Sequence, residues 1–227
     1  MKLTERLRRA ADLVPRCHAI ADIGTDHAYL PLALLEEGRI EKAIACDIHK
    51  GPLERAALHI KGRDKEKEVE LRLGGGLAPI RTGEVEGVVI AGMGGLMMMN
   101  ILEADFDKAQ ALQWLVLQPQ NHTAELKRYL STHHFMIEKE ELAQEGHNLY
   151  EMMLVSPGRM DPVSLLEGEI GVTSAYRKHP LFPEHIRRLI RKRDFLIHGV
   201  AEDTDNERNR QKREAALEEK KRLEALL

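Results

Sequence analysis

The residues most able to do chemistry sit where short apolar runs end. Residues 19–31 read AIADIGTDHAYLP, an apolar run that opens on Gly24 and then displays Thr25, Asp26, His27 and Tyr29. One glycine lets a ligand approach the backbone, but G-x-G-x-x-G, which seats a dinucleotide pyrophosphate on a helix N-terminus, is absent. A loop that displays acids suits a ligand bearing an ammonium better than one bearing a phosphate. Asp22 and Asp26 are therefore candidates to hold such a group, directly or through water. The competing reading has Asp26 cap the helix that follows. The next run, AIACDIHKGP, ends at Asp47, with Ile48 beside it. An acid there, roughly 20 residues past the first turn, can accept hydrogen bonds from a ribose diol, whether of NAD or of S-adenosylmethionine.

Glycines supply the remaining surface. Gly74, Gly75 and Gly76 leave a flat backbone against which an adenine ring can lie; the alternative is a flexible turn. VEGVVIAGMGG opens into Gly92, Met93, Gly94 and Gly95, with space for a flat base and a methyl donor, whereas Met97, Met98 and Met99 suit core gaps. The segment VLQPQNH concentrates amides in Gln118, Gln120 and Asn121. Amides both donate and accept, which fits a nucleobase edge as well as nearby backbone. His122 reads as a general base or as a capping residue. A Walker loop, G-x-S-x-G, H-E-x-x-H and Cys-x-x-Cys are all missing, and adjacent His133 and His134 do not share a helix face as metal ligands would.

These segments need a scaffold, and the patterning supplies one. Apolar runs at 19–23, 43–46, 69–73, 85–91, 115–117, 135–137 and 150–155 read as strands. Helical patterns at 29–37, 52–61, 96–104 and 123–132 fall between them. The alternation predicts a parallel α/β sheet covered by helices on both faces. The pattern changes at Ser156-Pro157-Gly158, which divides the chain into 1–157 and 158–227. Beyond it two helices, 184–198 and 207–226, flank a turn at 201–206 and should pack antiparallel. An apolar stripe of Ile186, Leu189, Ile190, Leu196 and Ile197 is set to meet Leu217 and Leu223, with Arg193 beside it.

Taken in order and spacing, DIGTDHAYLP, IAGMGG and LQPQNH resemble the bacterial tRNA (adenine(22)-N1)-methyltransferases, and the resemblance runs through most of residues 1–157. It implies a Rossmann-like class I methyltransferase sheet with a C-terminal α-helical coiled-coil hairpin. The implied activity is transfer of a methyl group from S-adenosylmethionine to N1 of a D-arm adenine, by a monomer, without a metal. Carried over by position, Asp22, Gly24, Thr25, Asp26, His27, Asp47, Ile48, Gly75, Gly76, Gly92, Met93 and Gly94 become cofactor-binding candidates. Asp26, Tyr29, Gln118 and Asn121 become catalytic candidates. Two departures stand out: Gly75 occupies a place where the family often has an acid, and Gln120 one where it often has Asn.

With 227 residues, 43% of them hydrophobic, the chain can build a packed core. A net charge of −3 means that RNA contact must come from a local patch, and Arg187, Arg188, Arg191 and Lys192 on one helix are the candidates. The competing reading is a solvated charged face. The N-terminal stretch MKLTERLRRAADLVP lacks the apolar core of a leader, and no apolar run approaches the roughly 20 residues that cross a bilayer. Cys17 and Cys46 read as buried thiols of a reducing cytoplasm. Two other classes stay open: a tRNA-binding protein with a degenerate pocket, and a NAD(P)-dependent oxidoreductase, which the missing glycine pattern disfavours.

Overall fold

A computed structural model describes residues 3–199 and 207–227. Seven strands form one sheet in the order β3-β2-β1-β4-β5-β7-β6. The parallel part comprises β1 (Ala19–Ile23), β2 (Lys42–Asp47), β3 (Val69–Leu73), β4 (Gly87–Met93) and β5 (Trp114–Pro119). The sheet departs from the parallel pattern at one side only. There β7 (Asn148–Pro157) runs antiparallel between β5 and β6 (Phe135–Glu145), and Gly146 at φ 58° helps turn the hairpin.

The inner strands are apolar because both faces are covered. On one face Ile23, Ile90 and Leu117 pack with Leu102 of α4 (Gly95–Ala104) and Leu130 of α6 (Thr123–Thr132). On the other, Ile20, Val89 and Val116 pack with Ala10 of α1 (Glu5–Leu13), Leu34 of α2 (Tyr29–Glu36) and Ile60 of α3 (Lys50–Lys61). The chain builds outward from β1 to β3 and then returns to place β4 on the other flank of β1. The crevice outside the strand ends at that reversal is where open α/β sheets bind ligands.

Three helices arise that the patterning does not announce: α1, α5 (Phe106–Gln110) and α7 (Leu165–Ile170). Thr4 caps α1, and Ser164 with Glu167 forms a capping box on α7. α7 packs on α6, and a single 3-10 turn at Tyr176–Lys178 packs on β6. Beneath them Lys127 of α6 is fully buried, its Nζ 2.8 Å from Glu140 Oε1 and 2.9 Å from Glu151 Oε2.

The tail forms an antiparallel pair, α8 (Phe182–Gly199) and α9 (Glu207–Glu224). Arg193 bridges Glu169 of α7 and Glu219 of α9, and Lys220 pairs with Asp194 at 2.6 Å. Ile186, Leu189, Ile197 and Leu223 are buried as the stripe predicts, but Leu196 and Leu217 stay exposed, so the seam is shorter than expected. The turn expected at 201–206 lies outside the described residues. Among the described residues no helix is long and apolar enough to cross a membrane.

Candidate functional site

β1 ends in a turn held by its neighbour: the N–H groups of Gly24 and Thr25 both donate to the carbonyl of Cys46, at 2.8 and 2.9 Å. Gly24 has φ 77°, and a Cβ there would stand 2.1 Å from Met93 Cε. The positive φ is what favours glycine here, since the Met93 end could move aside. Ala28 follows in the left-handed region (φ 54°) with its N–H on Thr25 Oγ1 at 3.1 Å, so Asp26 does not cap α2. Asp26 instead turns toward α3, where Arg55 grips it through Nε at 3.1 Å and through Nη2, and His27 Nε2 lies 3.2 Å away. An exposed, doubly partnered acid is poorly placed to act as a free catalytic group. Tyr29 likewise is one of three packed rings, with centroids 4.9 Å from both His27 and His59.

Asp22 and Asp47 stand at the ends of adjacent parallel strands. Asp47 Oδ1 accepts from His49 N–H at 2.7 Å and has a second oxygen to offer. Ile48 is 65% exposed and touches the Gly75 loop, its Cδ1 3.4 Å from where a Gly75 Cβ would be. That leaves an apolar platform beside two acids, the acceptor set that a purine nucleoside with a cationic side arm requires. The residues present thus fit S-adenosylmethionine: a crevice kept open by glycines, acids for the ribose and ammonium, and a flat apolar wall.

Burial pushes the Asp22 carboxyl up to about 6; the Thr25 hydroxyl pulls it back and Asp47 adds to the rise. The folded chain therefore holds this proton to higher pH than the unfolded chain. Asp22's contribution to stability is greatest below about pH 4 and falls as pH climbs through about 6. A cationic ligand favours the carboxylate, so its binding should release a proton near pH 6 and tighten between about pH 5 and 7. Calorimetry of S-adenosylmethionine binding in buffers of different ionisation heat checks this, and Asp22→Asn should abolish the dependence. A pH-independent wild-type affinity over that range would remove Asp22 from the site.

The edge beyond Gly24 is built by β4 and β5. β4 bulges between Ala91 and Met93, and Gly92 sits at φ 82°. Gln118, expected to read a base edge, does something else. It is fully buried, its Oε1 accepting from Gly92 N–H at 3.1 Å and from Arg6 Nη1 at 2.7 Å, its Nε2 donating to the Pro119 carbonyl at 2.9 Å. Gln118 shapes the bulge: its oxygen is fully used, and its buried amide nitrogen already donates to the backbone. Gln120 N–H on Met93 O (2.8 Å) and Gly95 N–H on Asn121 O (3.0 Å) lock the two loops together. A Cβ on Gly94 would lie 2.9 Å from Asn121 Oδ1, so Asn121 reaches the glycine loop from its exposed position. His122 takes a left-handed conformation (φ 51°) at the start of α6 without a side-chain cap, and its ring bonds Asn121 Oδ1 at 2.9 Å.

Beside this edge a cleft of about 890 Å³ runs between the β5–α6 loop and the tail. Asn121, His122, Tyr150, Glu151, Arg188 and Lys192 are among its walls. The tail cations are exposed but engaged. Arg187 and Arg191 pair with Glu184 at 3.6 and 2.7 Å, Lys192 with Glu169 at 2.8 Å, and Arg188 donates to the Leu149 carbonyl at 3.0 Å. Sequence reasoning missed Arg6, Arg55, His59 and Tyr150; each comes from an element that carries no site pattern. Cys46 is buried, its thiol pushed up to about 12 by that burial, and Cys17 is half-buried instead of fully enclosed. Among the described residues no group of three or more His, Cys, Asp or Glu side chains is placed to hold a metal ion.

A family model described as "Methyltransferase domain" matches residues 3–153. The tRNA (adenine(22)-N(1))-methyltransferase of Bacillus subtilis (strain 168) is 30% identical over 217 residues, 93% of this chain and 91% of that one. The crystal structure of the B. subtilis m1A22 tRNA methyltransferase TrmK superposes with a TM-score of 0.87 at 28% identity, covering 99% of this chain and 98% of that one. A Streptococcus pneumoniae protein solved in complex with S-adenosyl-L-methionine superposes with a TM-score of 0.87 at 28% identity over 100% of both chains.

Proposed function

The chain belongs to the tRNA (adenine(22)-N1)-methyltransferase family, and from that premise we propose how its residues divide the work. The activity is S-adenosylmethionine-dependent methylation of N1 of adenine 22 in tRNA. The observation that carries the division of labour is the pair of acids, Asp22 and Asp47, near the ends of adjacent strands β1 and β2 and close enough to influence one another, with the bulged glycine end of β4 on the other flank of β1.

Asp47 holds the ribose diol, and Asp22 with Thr25 faces the ammonium end. Ile48, Gly75 and Gly76 line the adenine, while Gly24, His27, Met93 and Gly94 close the crevice. When bound, the cofactor supplies an electrophilic methyl group on a sulfonium. Adenine N1 attacks through its in-plane lone pair: the N1–methyl bond forms as the sulfur–methyl bond breaks. The main task left to the protein is alignment. Because N1 is occupied in a base pair, the target must be unpaired or flipped, at a cost of roughly a few kcal/mol. Asn121 and Gln120 rim the place it would enter, whereas Gln118 acts through Gly92. Asp26 and Tyr29 support the first loop from the α3 side.

Residues 158–227 serve as the tRNA-contacting part, with Arg187, Arg188, Arg191 and Lys192 toward phosphates. The tRNA substrate supports a cytoplasmic setting, and the reading takes the enzyme as a monomer. Incubating the protein with labelled S-adenosylmethionine and bulk tRNA, then digesting to nucleosides, should yield N1-methyladenosine. A methylated guanine, or no transfer, would overturn the assignment. Arg187→Glu with Arg188→Glu should weaken tRNA binding and lower its salt dependence while sparing cofactor affinity.

A further inference from the structure

We propose that Arg6 forms an oxyanion subsite on the open face of Gly92, fitted to a carboxylate or phosphate of a ligand in the crevice. The proposal rests on the functional reading above. α1 lies over β5, β6 and β7 and brings the Arg6 side chain to the rim of β5. Its Nη1 donates to Gln118 Oε1 at 2.7 Å, the same oxygen that takes the Gly92 N–H. Since Gln118 is fully buried and bonded at both ends of its amide, it fixes the guanidinium in place. The Tyr150 ring lies below, its centroid 5.6 Å from the guanidinium carbon.

The guanidinium is charged in all conditions and carries five N–H donors. One goes to Gln118. Among the described residues no carboxylate stands within ion-pair distance of it; nearby Glu145 accepts from the Arg6 backbone N–H instead, at 2.6 Å. Arg8, Arg55, Arg72 and Arg193 all have carboxylate partners. Against burial, the guanidinium helps only at longer range to hold the Glu145 carboxyl below its usual value, so a half-buried cation is left without a directly bonded anion, which a ligand could supply.

What surrounds the open face of Gly92 has one sign. A Cβ on Gly92 would meet Arg6 Nη1 at 3.6 Å and Gln120 Nε2 at 3.8 Å as its nearest neighbours. Both are donors, and one is charged, so the face suits negatively charged acceptor atoms. Two sources fit: the carboxylate at the methionine end of the cofactor, and a phosphodiester of the tRNA.

Arg6→Gln removes the charge, and its shorter side chain also gives up the contact that Nη1 makes with Gln118, so Arg6→Lys serves as the charge-retaining comparison; thermal melting of both unliganded variants checks the fold. Calorimetry then compares S-adenosylmethionine with its decarboxylated analogue, and tRNA binding is followed against salt. A cofactor-carboxylate site predicts about 10- to 100-fold weaker S-adenosylmethionine binding in Arg6→Gln, with the decarboxylated analogue bound equally by both proteins. A phosphate site predicts unchanged cofactor affinity, with weaker tRNA binding and a salt slope lower by about one. In either case Arg6→Lys should recover part of the loss. Binding of both ligands within about twofold of wild type overturns the subsite, as does an equal loss for both cofactor forms, which marks Arg6 as a prop for Gln118 alone. A wild-type protein that binds neither S-adenosylmethionine nor tRNA overturns the functional reading as well.

Discussion

Lys127→Met should lower folding stability by about 3–5 kcal/mol, because it leaves buried Glu140 and half-buried Glu151 without their cation. The ammonium donates to Glu151 Oε2 and to the Gly168 carbonyl, both at 2.9 Å, lies 2.8 Å from Glu140 Oε1 as an ion pair, and stands 5.2 Å from the Tyr176 ring centroid. Its partners are committed too. Glu140 Oε2 accepts from the N–H groups of Val172 (2.8 Å) and Thr173 (2.6 Å), and the Tyr176 hydroxyl donates to Glu151 Oε2 at 3.1 Å. Burial works to raise the Glu151 carboxyl, yet Lys127 and then His185 hold it below its usual value of 4.5. In the wild type its contribution is therefore present above about pH 4.5 and lost as pH falls through the lowered value. Without Lys127 the sign reverses for Glu151: burial then favours its protonated form, and the variant should gain stability on moving from about pH 7 to 5. Adding Glu140→Gln and Glu151→Gln should recover most of the loss. Urea unfolding at both pH values measures this, and a loss under about 1 kcal/mol at neutral pH would show that the network carries little.

Gly92→Ala should slow methyl transfer about 100-fold while costing only about 1–2 kcal/mol of stability. Two effects separate here. At φ 82° any L side chain is strained, which is a folding cost. The added methyl also projects onto the open face beside Arg6 and Gln120 and shifts whatever must be aligned there. Gly83→Ala is the matched control, since Gly83 has φ 77° and nothing within 4 Å of where its Cβ would stand. It should show the backbone cost and keep its rate. Single-turnover assays under saturating cofactor compare the two; rates within about threefold of one another would mean that Gly92 serves the turn and not the reaction.

The strands that build the crevice are legible because they are simple. The runs at 19–23 and 69–73 match β1 and β3 to the residue, and the helix at 123–132 matches α6. Buried apolar runs closed by Gly, Asp or Pro need little tertiary information. The β6–β7 hairpin is read short, at 135–137 and 150–155, because Glu138 to Glu141 break the apolar pattern. Glu140 is buried only because Lys127 meets it there, and a lysine on an amphipathic helix looks solvated until its partners are in place. The capping box Ser164-Leu165-Leu166-Glu167 was a readable signal for α7. In the site, the glycines and strand-end acids were visible by type and position. The task of Gln118 was not, because an amide at a strand end can face ligand or backbone equally well. Arg6 gave no sign at all: its role depends on α1 lying over the sheet, a contact that spans 112 residues of sequence to Gln118.

The root of the tail bears on how a large, stiff substrate can be accommodated. α8 is fastened by His185 to the Glu169 carbonyl at 2.7 Å, by Arg188 to the Leu149 carbonyl, and by Arg193 and Lys192 to the Glu169 carboxylate. Ile186 and Leu189 share a buried cluster with Leu142 of the sheet. A swing of the tail about this root would have to part charges in a low-dielectric seam and expose apolar surface together. The cleft wall that the tail gives to the β5–α6 loop is therefore set by the fold, so under the proposed reading any deformation needed to bring an adenine there would fall to the RNA.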